Sequence, residues 1–157
     1  MGGNDPYCLP STIAYSTLLT NSFVHWLGRP LVTHAPSPEV LAQSLYEAPF
    51  VLVSHGVEAD PVFCYANRTA QELWGMDWEE FTNMPSRLSA ETVAVAERQR
   101  LLERAARHGY IDNYRGVRVT KSGRRFEIAN TVLWNVINEN GEHRGQAAMF
   151  SDWKWLE

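Results

Sequence analysis

The sequence predicts an α+β fold: a five-stranded antiparallel sheet with helices on one face, preceded by an N-terminal helical extension. Three observations predict it. The elements read in the order helix, helix, two strands, three helical pieces, three strands. The last three strands are joined by the tight turns Lys121-Ser122-Gly123 and Asn138-Glu139-Asn140-Gly141, which makes them an antiparallel meander. The two earlier strands are short and apolar, and joining the same sheet covers their edges.

Each element has its own signal. Residues 11–27 carry Tyr15, Leu18, Leu19, Phe23, Trp26 and Leu27 at helical spacing, with Pro10-Ser11-Thr12 as a start and Gly28-Arg29-Pro30 as a stop. Residues 33–38 are a Pro-rich linker. A second helix follows Pro38, with Val40, Leu41, Leu45 and Tyr46 as its apolar stripe. Ala48 to Ser54 and residues 62–66 are apolar, β-rich runs, with a loop over 57–60 between them. Asn67 caps a helix that ends at Gly75, and Asp77 caps a short turn through Phe81. Met84 to Arg87 is a loop. Ser89 then caps a long helix from Ala90 to His108. Strands follow over 110–120, 124–137 and 144–153. In the middle one, Phe126, Ile128, Asn130, Val132, Trp134 and Val136 alternate onto one face. Tyr110 and Tyr114 share a face at spacing four. The organisation is therefore an N-terminal helix and linker, 1–37, followed by one domain, 38–157.

Composition sets bounds. The chain has 157 residues, 45% hydrophobic and 20% charged, which is one ordinary globular domain. Disordered tails and disulfide-stapled miniproteins are excluded, and any output domain is expected on another chain. Fourteen basic residues against 18 acidic ones leave −4, which argues against a nucleic-acid partner. Cys8 and Cys64 offer no metal spacing, and reduced thiols fit a cytoplasmic location. The start has no basic n-region, and no run approaches the ~20 apolar residues a membrane span needs. No membrane partner is expected.

Two segments carry a family resemblance. YANRTAQELWGMDWEEF (65–81) resembles the strand-to-helix segment of PAS domains, and residues 121–153 resemble their closing hairpins. A narrower resemblance is to the MEKHLA domain, a PAS-like group. It is carried by LYEAPFVLVSHG (45–56), ADPVFCYAN (59–67), MPSRLSAE (84–91), residues 97–119, GRRFEIANTVLWN (123–135) and GQAAMF (145–150), with WLGRPLV (26–32) fitting stand-alone bacterial members. The name-giving hexapeptide is absent. The resemblance implies a PAS-like fold that binds ligands between the inner sheet face and the helices, and it implies no assigned activity.

On that footing the expected ligand wall is Phe50, Trp74, Phe126, Ile128, Asn130 and Trp134, with His55 and Arg87 as polar contacts. Asn130 stands out as one amide among apolar neighbours, because a buried amide needs a partner. Arg87 could fork onto a carboxylate ligand or pair with a nearby acid. His55 could bind a ligand or close its strand. The face on which Arg118 and Gln146 lie is left open. No cofactor is identified. The Asn-Cys-Arg motif of flavin photosensors is missing where MPSRLSAE stands, and His108, the one histidine near a haem-type helix position, caps its helix end. No metal ligands, catalytic residues or enzyme motifs are found.

The expected function is a single-domain sensory or ligand-binding module for a small, largely apolar molecule, signalling through a protein partner or its own oligomeric state, with a homodimer expected. The first alternative is a ligand-free scaffold dimerising through residues 11–27 and the C-terminal Trp153 and Trp155. The second is a small-molecule enzyme using His55 or Arg87, with Asp60 or Asp112 as partner of the histidine.

Overall fold

Alternation and turn chemistry produce one antiparallel sheet, and two bulges decide what each face of it covers. The computed structural model describes residues 5–33, 35–89 and 95–156. Its helices are α1 (Pro10–Leu27), α2 (Pro38–Tyr46), α3 (Arg68–Trp74), α4 (Trp78–Phe81) and α5 (Val95–His108). Its strands are β1 (Val51–His55), β2 (Phe63–Ala66), β3 (Tyr110–Val119), β4 (Arg125–Ile137), β5 (His143–Phe150) and β6 (Asp152–Trp155). The start expected for α5, residues 90–94, lies outside the described residues.

The local signals act where expected. The Ser37 hydroxyl caps α2, and Asp77 with Glu80 forms a capping box on α4. Gly28 and Gly75 close α1 and α3 in the left-handed conformation. Asn67 does more than cap α3. Its carbonyl accepts from the amides of Ala70 and Leu52, and its amide donates to the carbonyls of Leu45 and Phe50. One buried side chain thus ties the end of α2, the start of β1 and the start of α3 together.

The sheet order is β2-β1-β5-β4-β3, all neighbours antiparallel, with β6 also on β4. The last strand of the sequence reading is broken at Ser151, so a sixth strand, β6, continues the line of β5 along residues 126–129 of β4.

The expected alternation of β4 fails at Asn130. Ile111 faces Leu133 and Tyr114 faces Thr131, so Asp112 and Asn113 together oppose Val132. Gly116 then faces Ile128, so Arg115 alone opposes Ala129 and Asn130. These are two β-bulges, one on each strand. Asn113 (φ 58°) and Asn130 (φ 53°) are the described non-glycine residues at positive φ, a conformation asparagine tolerates better than most side chains. Each extra residue turns the following side chains to the other face. Phe126 and Ile128 pack with Leu133 under α3–α5, whereas Val132, Trp134 and Val136 pack on the opposite side. For the same reason Tyr110 and Tyr114 belong to different clusters.

That opposite side is covered by α1 and α2. Leu19 and Phe23 of α1 and Leu45 of α2 are buried with Trp134, Val136 and Leu52. The Phe23 and Trp134 rings meet edge to face at 4.9 Å. Polar bonds clamp α1 to β4: the Trp134 indole N–H donates to the Leu19 carbonyl (3.2 Å), the Trp26 indole N–H to the Asn135 carbonyl (2.9 Å), and the Ser22 hydroxyl accepts from the Ile137 amide (2.8 Å). Gly109, at positive φ, leaves its Cβ position to the Trp26 ring. Among the described residues no helix is long and apolar enough to cross a membrane.

Candidate ligand site

The inner face of β1, β5, β4 and β3 is the one turned to α3–α5. Between it and Leu101 of α5 lies a cavity of about 50 Å³. Val53, Phe63, Trp74, Ile128, Leu133 and Phe150 form its apolar wall. Its polar lining comes from His55, Ser89, Tyr114, Arg118 and Gln146.

Arg118 reaches this cavity because of the residues before it. Tyr114, Gly116 and Arg118 alternate onto the inner face after the bulge, and Arg118 sits opposite Phe126. A Cβ at position 116 would collide with the Tyr114 hydroxyl, so glycine lets the phenol lie along the strand. The phenol then approaches the guanidinium: the Arg118 Nη2–H···Tyr114 Oη distance is 3.4 Å and the guanidinium carbon is 5.5 Å from the ring centroid. A second guanidinium nitrogen donates to the Val117 carbonyl at 3.0 Å. Arg118 is only 9% exposed. The ion pairs among the described residues are Arg68–Glu47, Arg87–Asp60, Arg115–Glu127 and Lys121–Glu80, so no described carboxylate neutralises Arg118.

At the other end a polar row crosses three strands. His55 of β1, Gln146 of β5 and Asn135 of β4 are in register and all buried. Gln146 donates to the Asn135 side-chain oxygen at 3.4 Å. His55 Nδ1 lies 2.9 Å from the Gly56 carbonyl, which places a proton on Nδ1. The buried indole N–H of Trp74 has no acceptor among the described residues.

The structure brings together only part of the expected wall. Trp74, Ile128 and His55 line the cavity. Phe126 lies in the same core, packed between Trp74 (5.1 Å) and Trp155 (5.5 Å), but does not line it. Four of the expected positions are placed outside the cavity by the bulges or by topology. Asn130 is exposed and donates to the Asp152 carboxylate at 2.7 Å, because its own positive φ turns it out of the alternation. Trp134 faces α1, on the opposite face of the sheet from the cavity, for the same reason. Phe50 precedes β1 and packs in the α1 cluster. Arg87 is exposed and grips Asp60 at 3.1 Å, well outside the cavity, as a surface pair. That pair also occupies Asp60, one of the two acids considered for His55. The other, Asp112, is exposed and accepts from the Asn113 amide. Tyr114, Arg118, Gln146 and Ser89 are additional polar residues of the site. The Tyr-x-Gly-x-Arg alternation was the signal for the first two, hidden by the bulge at Asn113 that precedes it.

The residues present do not fit a flavin photosensor. The cavity has room for about four waters, far below a three-ring isoalloxazine, and neither Cys8 nor Cys64 lines it. Among the described residues no group of three or more His, Cys, Asp and Glu side chains could hold a metal ion. Trp153 and Trp155, considered above as an interface, pack on Phe150 and Phe126 of their own chain, with the Arg124 guanidinium over Trp155 at 3.7 Å.

Solved structures that share this architecture include PAS and light-oxygen-voltage (LOV) domains. A PAS domain from Colwellia psychrerythraea superposes with a TM-score of 0.62 at 12% identity, over 73% of this chain and 92% of that one. A fungal LOV domain photoreceptor gives 0.57 at 18% identity, over 99% of both chains. An RNA-binding LOV receptor gives 0.62 at 18% identity, over 81% of this chain but only 35% of that one. At such identities the likeness is one of fold. No protein of curated function matches the chain. The family model of the MEKHLA domain matches residues 13–155, from within α1 to the end of β6. With nearly the whole described fold inside that match, the chain belongs to the MEKHLA domain family.

Proposed function

We propose that the protein is a sensory module that takes a small, mostly apolar molecule into the cavity under α5 and reports occupancy to another chain or through its own oligomeric state. The observation that carries this reading is the cavity itself: an apolar space on the inner face of a PAS-type sheet, with a few converging polar groups, which is the usual make-up of a ligand site. A path for the report is also present. Ser54, on the outer face of β1, donates to the carbonyl of Gln146 (2.7 Å) and bonds the Tyr15 hydroxyl of α1 (2.8 Å). A shift of β5 at Gln146 is therefore felt by α1, and α1 is the element whose exposed side another chain can read.

Native mass spectrometry of the purified protein, with a thermal-shift screen of small-molecule classes, tests the reading. A bound mass or a saturable rise in melting temperature is expected for the natural chain, and its loss is expected in Ala148→Leu, which fills the cavity from β5. A bare polypeptide mass, no response to any class, and an Ala148→Leu variant more stable than the parent would reduce the cavity to a packing void.

A further inference from the structure

Among the described residues the charge balance of the cavity is incomplete, and the imbalance has a sign. Arg118 is buried, and a guanidinium remains a cation in proteins. It carries five N–H donors. The described acceptors are the Val117 carbonyl and the Tyr114 hydroxyl, the latter at 3.4 Å, which is long for a hydrogen bond. The acid closest to it in register, Glu127 opposite Val117, pairs with Arg115 on the other face. A buried cation of this kind is costly unless an anion or a full set of acceptors compensates it. Trp74, which also lines the cavity, has a buried indole N–H with no acceptor among the described residues. Among the described residues the lining therefore holds the Arg118 cation without a carboxylate; His55, Ser89, Tyr114 and Gln146 are its other polar side chains, and the remaining wall is largely hydrocarbon.

We propose that the ligand is a short-chain monocarboxylate, its carboxylate on the Arg118 guanidinium and its tail against Ile128, Leu133, Phe150 and Leu101. This rests on the reading of the cavity as a ligand site. A planar carboxylate matches the guanidinium fork with two parallel bonds. A phosphate dianion would leave a second charge uncompensated, since Arg118 is the one arginine or lysine of the lining among the described residues. The space, about four waters, suits an acid of about four to six heavy atoms, in the range of propionate and butyrate.

The test is calorimetric titration of the full chain at neutral pH with propionate and butyrate, with their neutral isosteres propionamide and butyramide, and with inorganic phosphate. Saturable binding of the acids is expected, with the amides weaker by about tenfold or more and phosphate without saturation. Arg118→Gln should weaken butyrate by about tenfold to a hundredfold and butyramide by much less, so that the preference for acid over amide is lost. Arg118→Lys, which keeps the charge and loses the fork, should fall between. If Arg118→Gln does not fold by circular dichroism, the acid-to-amide ratio of the natural chain and the Lys variant decide. Amides that bind as tightly as acids, or butyrate binding that survives Arg118→Gln, would overturn the carboxylate and leave the cavity as a site for neutral molecules. Saturation by phosphate but by neither acid would replace carboxylate with phosphate. A natural chain that binds neither acid nor amide, with Ala148→Leu at full stability, would sink the ligand site itself.

Discussion

Tyr65 shows what a single hydroxyl costs when the fold leaves it dry. Its ring is fully buried, edge-on to Trp78 at 5.6 Å, and its oxygen has no hydrogen-bond partner among the described residues. Asn67, two residues on, is equally buried but has all four of its bonds made. A buried polar group without a partner costs about 1–3 kcal/mol, so Tyr65→Phe is expected to stabilise the fold by about 1 kcal/mol in urea unfolding. A variant that is no more stable than the parent would mean that the hydroxyl has an acceptor after all. Burial, and secondarily the neighbouring Tyr46, holds the Tyr65 pKa well above the ordinary phenol value. Burial does the same for Tyr15. Above pH ~10 the unfolded chain therefore loses phenol protons that the native chain keeps, so stability that is complete below pH ~10 falls as pH rises further. Melting temperatures taken between pH 8 and 11 should show this alkaline fall, and Tyr65→Phe should make it shallower. Arg118 is under-satisfied in the same sense among the described residues, but it lines a cavity rather than a closed core.

At the scale of the element, the deciding features are Asn113 and Asn130. Without them β4 would present Phe126 through Val136 on one face, and the hydrophobic set of the α1 layer would have nothing to meet. A β-branched side chain at φ 53° is strained, so Asn130→Val is expected to cost about 1–2 kcal/mol. Asn130→Gly keeps the backbone and loses only the exposed bond to Asp152, at a cost of about 0.5–1 kcal/mol. Urea unfolding of the pair checks this, and Val equal to Gly would show that the bulge is not set by the backbone of residue 130. These bulges also explain what was legible. Caps, helix stops, turns and the order of elements carry local signals, and the α+β class followed from them. The bulges carry none, since an asparagine inside a strand pattern reads as one more position in a period of two. The hidden residue at Asn130 is enough to send Trp134 to the wrong face and bring Asn130 inward, and the one at Asn113 leaves Arg118 unplaced. Phe50 and Arg87 missed for another reason: both lie in connections, whose direction depends on packing that no local pattern encodes.

For the whole molecule, the sheet is a middle layer between α3–α5 and the α1–α2 pair, and this changes what removing α1 would mean. On the alternative scaffold reading of the sequence, residues 11–27 contribute a dimerisation surface, and removing residues 1–30 should abolish self-association. In the structure the apolar face of that helix is occupied by its own sheet: Leu19 and Phe23 are sealed against Trp134 and Val136, and large exposed side chains on it are few, Val24 being the clearest. Deleting residues 1–27 would uncover an apolar strip along β4, β5 and β1, and strips of that kind associate. The expected outcome is therefore the reverse: the truncated chain melts lower and forms larger species than the full chain. The point variant Phe23→Ala, which empties the same contact without removing the helix, should cost about 3–5 kcal/mol. Light scattering coupled to size exclusion, alongside urea unfolding, reads both quantities. A truncated chain that stays as stable as the parent would show that α1 is an appendage, and would also remove the Tyr15–Ser54–Gln146 path by which α1 could sense the cavity. A Phe23→Ala variant that is destabilised yet keeps the parent's molecular mass would place α1 in the fold and leave any partner surface to its exposed side.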